Sequence, residues 1–289
     1  MQKTDVLIIG AGLAGLTCGR YLAQNNIDFQ IIEAQPQVGG RVQTDEYKGF
    51  LLDRGFQVFL PAYPEAQPLL DYSKLDLRYF RSGATVLKNK GTSDFVDPLK
   101  HPGRIFEALG SDLTTTADLY RAASLRLKQL FQQPKEIFAN EEKGTLAAFH
   151  EDYQFSDEFI RGFLRPFYAG IFLEADLNTS RRMFEFVFKM FSQKGAAIPA
   201  RGIGELAKQL AAPISAQIKT NCRVKNVAGN AVQTEDGDFS ARKLVYAIEP
   251  NGLNKDYVSK AKSFYQSTSC LYFETTAELP QESHLILDS

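Results

Sequence analysis

The chain has 289 residues, 44% hydrophobic and 23% charged, with a formal net charge of −1. That length supports about two domains with substantial cores. The balanced charge, without a long basic run, excludes an electrostatic case for nucleic acid as a partner.

The first element is an apolar run at residues 6–9, which predicts a strand buried on both faces. Gly10, Gly12 and Gly15 follow, and a proline-free helical pattern continues through Leu13, Leu16 and Leu22. In this arrangement Gly10 permits a tight turn, Gly12 lets backbone approach a pyrophosphate, and Gly15 lets helix and strand pack closely. The helix N-terminus offers N–H groups and a partial positive charge to phosphates. A second apolar strand, 29–32, ends in Glu33, whose carboxylate can accept hydrogen bonds from ribose hydroxyls. A lone G-x-G-x-x-G is weak evidence. Strand, glycines, helix, strand and acid in this order predict a dinucleotide site.

Glu33 does not choose between FAD and NAD, since both carry an adenosine ribose. The turn at 37–42 contains Gly39, Gly40 and then Arg41, a planar cation able to sit beside a pyrophosphate or a flavin. Asp53-Arg54-Gly55 follows a short run at 49–52 as a third element.

The middle of the chain is helical in pattern. Residues 113–131 place Leu119, Ala122, Ala123, Leu127 and Leu130 near helical spacing, and 145–149 and 157–164 are further candidates. Ser156 is a plausible N-cap, and Pro166 is expected to interrupt the pattern. Ser180 can cap a helix at 181–191 with Phe184, Val187, Phe188 and Phe191 on one face. Such phenylalanine-rich faces are expected to build a core, while lining part of an apolar cavity stays compatible with that. Beyond it, a short helix at 204–210, strands at 218–227 and 231–235, a turn at Asp236-Gly237 and a last strand at 242–248 are predicted.

The segments G-A-G-L-A-G-L, E-A-x-x-x-V-G-G-R-V and G-F-x-L-D-x-G together resemble the flavin amine oxidase and phytoene desaturase superfamily. The resemblance implies FAD as cofactor, with Gly10, Gly12, Leu13, Ala14, Gly15, Glu33 and Ala34 holding the ADP half. It places Gly40, Arg41, Gly55 and Phe56 along the pyrophosphate and flavin. Residues 199–206 are similar to the family's P-x-G-G-M segment, with Arg201 where its first glycine usually sits. Residues 221–227 resemble the strand whose central valine, here Val224, pairs its backbone with adenine.

Two departures accompany the resemblance. Many flavin amine oxidases carry a lysine just before a substrate-domain strand; aligned on residues 270–273, that position is Ser269. A desaturase-like or isomerase-like reaction on an apolar substrate is therefore expected in preference to amine oxidation. The family's C-terminal G-D segment, which covers the flavin, has no counterpart after Glu274, so the substrate domain is expected to be incomplete. That keeps a second reading: an FAD- or ADP-binding module without turnover.

The expected fold is α/β, a Rossmann-type FAD-binding domain with an inserted, mainly helical substrate domain. The FAD-binding part is assigned to 1–80 plus 195–256 and the substrate part to 81–194 plus 257–289. No catalytic residue is identified. Cys18, Cys222 and Cys270 are far apart and odd in number, and read as reduced thiols of a cytoplasmic protein. His101, His150 and His284 lack ligand spacing, so no metal is expected. The partner is an apolar small molecule; no transmembrane segment is expected, and peripheral membrane contact stays open.

Overall fold

Two short apolar strands, β1 (Gln2–Ile9) and β2 (Phe29–Ile32), pair in parallel and form the centre of the molecule. A computed structural model of the chain describes residues 1–88, 91–97, 100–104, 106, 110–249, 265–276, 278, 283 and 285–288. The helix α1 (Leu13–Gln24) joins the two strands. Leu7 and Ile8 are fully buried on opposite faces of β1, as alternation along a doubly covered strand requires. Ile8 and Ile31 pack on one side with Leu16 of α1 and with Leu210 of the helix Glu205–Ala211. Leu7, Ile9 and Ile32 pack on the other side with Cys222, Val232 and Phe239.

The sheet grows to six strands by recruiting the far end of the chain. In it β9 (Ile218–Lys219), β10 (Val224–Ala228), β11 (Ala231–Thr234) and β12 (Gly237–Tyr246) give the order β10-β11-β12-β1-β2-β9. β12 runs parallel to β1 from Phe239 opposite Gln2 to Tyr246 opposite Ile9. It begins five residues earlier than the strand predicted at 242–248, because Gly237, Asp238 and Ser240 leave no apolar run there while the backbone ladder continues. The strand predicted at 218–227 is instead two strands of different pairing. Asn221 adopts a left-handed conformation (φ +53°), which turns the chain between β9, parallel to β2, and β10, antiparallel to β11.

The central segment packs its helices over one aromatic core. Phe149 and Phe184 are fully buried with their rings edge-on at 4.8 Å, and Phe159 and Phe163 stack at 5.8 Å. The helices Thr116–Phe131, Thr145–Glu151 and Arg181–Lys194 lie close to their predicted positions. Pro166 does not interrupt its helix. A π-helical turn, Ile160–Leu164, lies between Asp157–Phe159 and Arg165–Phe172, and Pro166 falls in the first turn of the last piece, where a missing N–H costs least. Two small sheets flank the central segment: β5 (Leu77–Tyr79) pairs antiparallel with β8 (Ala197–Pro199), and β6 (Gly83–Leu87) pairs with β7 (Thr92–Val96) and, in parallel, with β13 (Leu285–Asp288). Residues 270–273 form no strand and are exposed, so the correspondence at Ser269 finds no structural support. Among the described residues no helix is long and apolar enough to cross a membrane.

One buried carboxylate knits this aromatic core together. Asp118 is 0% exposed and accepts hydrogen bonds from the Ser156 hydroxyl (2.6 Å), the Ser156 N–H (2.8 Å) and the Thr115 hydroxyl (2.7 Å). Burial alone would raise its pKa, but the bonds from Ser156 and Thr115 outweigh that and hold it below the ordinary aspartate value. Its stabilisation is therefore present above the unfolded pKa of about 3.9 and is lost as pH falls through the lower folded value. Asp118→Asn is expected to cost about 1–3 kcal/mol at neutral pH, by leaving buried donors facing an amide, and to flatten the acid limb of stability against pH. Urea denaturation of both proteins between neutral pH and pH about 3 checks this.

Candidate functional site

The site begins where β1 runs into α1. Gly10 (φ +105°) turns the chain, and a Cβ there would lie 2.6 Å from the Ala247 carbonyl oxygen. A Cβ on Gly15 would lie 1.9 Å from the Gly10 carbonyl oxygen, so only glycine lets the helix approach the strand this closely. Gly12 is different: it is the N-cap of α1, and a Cβ there would meet no atom within 4 Å. No side chain caps α1 and no acidic residue lies in its first turn. The positive end of the helix is thus left to face open space.

Glu33 closes this loop from the side. Its Oε2 accepts the Ala11 N–H at 2.8 Å and its Oε1 accepts the Gln35 N–H at 2.8 Å. A carboxylate offers about four acceptor positions, so two remain for hydroxyls of a ribose. The second glycine turn docks on the first: the Gly39 N–H donates to the Ala11 carbonyl at 2.8 Å, and a Cβ on Gly40 (φ +60°) would lie 3.3 Å from the Gly12 Cα. Cys222 N–H donates to the Glu33 carbonyl at 2.8 Å and Asn221 N–H to that of Gln35 at 3.1 Å. These bonds bring Val224, the first residue of β10, into the same region, packed against the cluster that holds Ile9 and Ile32.

The structure therefore brings Gly10, Gly12, Gly15, Glu33, Gly40 and the segment before Val224 together where β1 meets α1, with open space beside Gly12. Leu13 and Ala14 open α1, and Ala34 is half-buried directly after Glu33. Arg41 is exposed and its side chain engages no other described residue. Gly55 (φ +89°) and Phe56 stand a step away, tied in by Gln57, whose side-chain amide donates to the Arg41 carbonyl at 3.0 Å. The glycine cradle, the uncapped helix and the half-used carboxylate fit the ADP part of a dinucleotide.

Ala11 and Thr44 are residues of this region that carry no sequence signal of their own. Ala11 acts only through its backbone. Thr44, in the hairpin of β3 (Thr44–Tyr47) and β4 (Phe50–Asp53), donates to Asp53 Oδ1 at 2.6 Å and accepts the Gly204 N–H at 2.9 Å. Asp53 Oδ1 also accepts the Ile203 N–H at 2.9 Å. Together they fasten residues 202–204 to the hairpin, and Gly202 is required because a Cβ there would lie 2.4 Å from the Thr44 side chain. The pairing spans about half the chain, which local spacing cannot reveal.

Phe56, 65% exposed, turns its ring edge toward Phe80 at 6.4 Å and lies on the wall of a cavity of about 400 Å³. The cavity is lined by ten phenylalanines, among them Phe95, Phe163, Phe167 and Phe188. Thus the phenylalanine-rich helices build both core and cavity wall. Tyr168, only 3% exposed, joins that lining, and burial pushes its hydroxyl far above the ordinary tyrosine pKa, so it stays a neutral donor.

Against known proteins, residues 13–283 match the model of the flavin containing amine oxidoreductases. The carotenoid 3,4-desaturase of Haloarcula japonica is 23% identical over 273 residues, covering 82% of this chain and 54% of that enzyme. The chain thus spans about half the length of this relative. An oxidoreductase of Methanosarcina mazei superposes with a TM-score of 0.63 at 23% identity, over 89% of this chain and 62% of that one. Wild-type putrescine oxidase bound to putrescine superposes with a TM-score of 0.54 at 19% identity, over 86% and 59%.

Gly12→Val separates the cradle from the fold. The variant is expected to keep native circular dichroism, since the space beside Gly12 is open, yet to purify without flavin. Gly15→Val, by contrast, is expected not to fold. Flavin retained at wild-type stoichiometry by Gly12→Val would place the pyrophosphate elsewhere.

Proposed function

The chain belongs to the flavin-containing amine oxidoreductases, and its cofactor is FAD; on that premise we propose that it removes hydride from an apolar small molecule, desaturating or isomerising it. The cavity carries this reading, because ten phenylalanines, Phe56 among them, give it a largely apolar wall.

The residues proposed to hold the cofactor divide the work by chemistry. Backbone at Gly10, Gly12, Leu13, Ala14 and Gly15, with the dipole of α1, receives the pyrophosphate. Glu33 accepts from the ribose while Ala34 follows it, and Val224 offers backbone to adenine. Gly40, Arg41, Gly55 and Phe56 border the pyrophosphate and flavin end, where the Arg41 guanidinium offsets phosphate charge. When bound, FAD supplies the hydride acceptor. Desaturation would remove a hydride from one carbon and a proton from its neighbour, both ending on the bound flavin, and would leave a double bond. The aromatic wall excludes water and orients the apolar body, so the reacting C–H bond is held in one place.

The domain division near 80 and 195, an apolar substrate as partner and a cytoplasmic location are parts of the same proposal. The purified protein is expected to be yellow, absorbing near about 450 nm as flavins do. Under anaerobic conditions an apolar polyene or cyclic olefin is expected to bleach that band. Bleaching by putrescine or benzylamine, with peroxide formed on admitting air, would overturn the substrate class. A colourless protein that binds ADP and turns over neither would instead favour a nucleotide-binding module.

A further inference from the structure

The cavity wall is not uniformly apolar. Arg81, Lys100 and Arg126 line it together with a single carboxylate, Asp97. Arg126 reaches Asp97 at 3.3 Å and donates to the Ser192 carbonyl at 2.7 Å; Lys100 donates to the Phe191 carbonyl at 2.7 Å. The charges are partly withdrawn from water, the Arg126 and Asp97 side chains being 19% and 27% exposed. Burial is also the main reason the Lys100 ammonium is held below its ordinary pKa, with Asp97 opposing and Arg126 reinforcing it.

A structural role explains part of this cluster. Phe191 and Ser192 lie in the last turn of the helix Arg181–Lys194, where carbonyls attract cations; that of Phe191 accepts the Gly195 N–H at 3.0 Å as well. It does not explain the excess. A lysine has three N–H donors and an arginine five, and the bonds to described residues use one of Lys100 and two of Arg126. Lys100 and Arg126 share one carboxylate of the wall, Asp97. A ligand of pure hydrocarbon would press the remaining charge against apolar surface, which is costly. A ligand with an anionic end would pair with it.

Resting on the reading of this cavity as the substrate site, we propose that the substrate is an apolar body ending in a carboxylate, and that Lys100 and Arg126 receive that carboxylate. They select and orient the ligand. The apolar body then extends along the phenylalanine wall, so the position of the carboxylate fixes which carbon lies beside Phe56.

The test is direct binding to the full chain, read without turnover. cis-Parinaric acid, a fluorescent polyene with a carboxylate, is titrated against its methyl ester. The acid is expected to bind at least about tenfold more tightly than the ester, the factor one charged hydrogen bond supplies. Lys100→Gln combined with Arg126→Gln keeps N–H donors for the Phe191 and Ser192 carbonyls while removing both charges. It is expected to abolish the preference for the acid and leave ester affinity unchanged. Equal binding of acid and ester to the unsubstituted protein would overturn the carboxylate proposal and leave the apolar cavity reading standing. Binding of neither would overturn both. A preference that survives the double substitution would remove these two residues from the role. Should the double variant fail to fold, the acid-to-ester ratio of the unsubstituted protein and of Lys100→Gln decides.

Discussion

The close crossing of α1 over the end of β1 is the constraint on which the cofactor region depends. The Gly10 carbonyl oxygen lies so near Gly15 that any Cβ there would fall 1.9 Å from it. Gly10 is in turn covered by Ala247 and Ile248, just beyond the end of β12. Two glycines thus let three segments, two of them adjacent in sequence and one about 230 residues away, meet without a side chain between them. Had any of the three stood further off, the Ala11 N–H would not reach Glu33 at 2.8 Å, nor Gly39 the Ala11 carbonyl at 2.8 Å. The geometry of the second glycine turn therefore follows from the first.

The aromatic segment solves a different problem. Large rigid side chains bury much apolar area while losing few rotamers, but they rarely tile space without gaps. Here the gaps merge into one cavity. The fully buried ring of Phe149 packs behind its wall on Phe184, and Phe184 lines it with half-buried rings such as Phe167 and Phe188. Asp118 pins the start of the helix Thr116–Phe131 to Ser156, the N-cap of the helix on the opposite side. That bond fixes the separation of two cavity walls, a task apolar contacts alone perform with less directional precision.

What the sequence disclosed follows the range of the interactions involved. The glycines, Glu33, α1 and β2 were legible because each obeys a rule that operates within one βαβ unit. The helices Thr116–Phe131 and Arg181–Lys194 were legible from their 3.6-residue periodicity, and Ser180 caps the second by accepting the Arg182 N–H, as expected. β13 and β6 escaped because four or five residues of mixed pattern declare nothing until paired across about 200 positions. The break at Asn221 escaped because left-handed asparagine is permitted by local sterics but selected by the different partners of β9 and β10. Pro166 misled for the converse reason: a proline ends a helix only if an N–H is needed at its position, and the preceding π turn removes that need. The aromatic run reads as core and as compatible with lining part of an apolar cavity, and its rings are divided between the two.

The two halves of the site consequently differ in what they ask of sequence. The dinucleotide cradle is made of backbone N–H groups, glycine φ angles and one carboxylate, so most positions in it are free to vary as long as the backbone path is kept. This explains how the same scaffold persists among proteins of low identity that act on different molecules. The cavity is made of side chains: its shape is set by ring positions and its polarity by Arg81, Lys100, Arg126 and Asp97. Under the proposed function, a substitution there would change which molecule fits without touching the glycine turns. Under the proposed function, selectivity is to be sought in the residues that line this cavity, where the glycine signature has nothing to say.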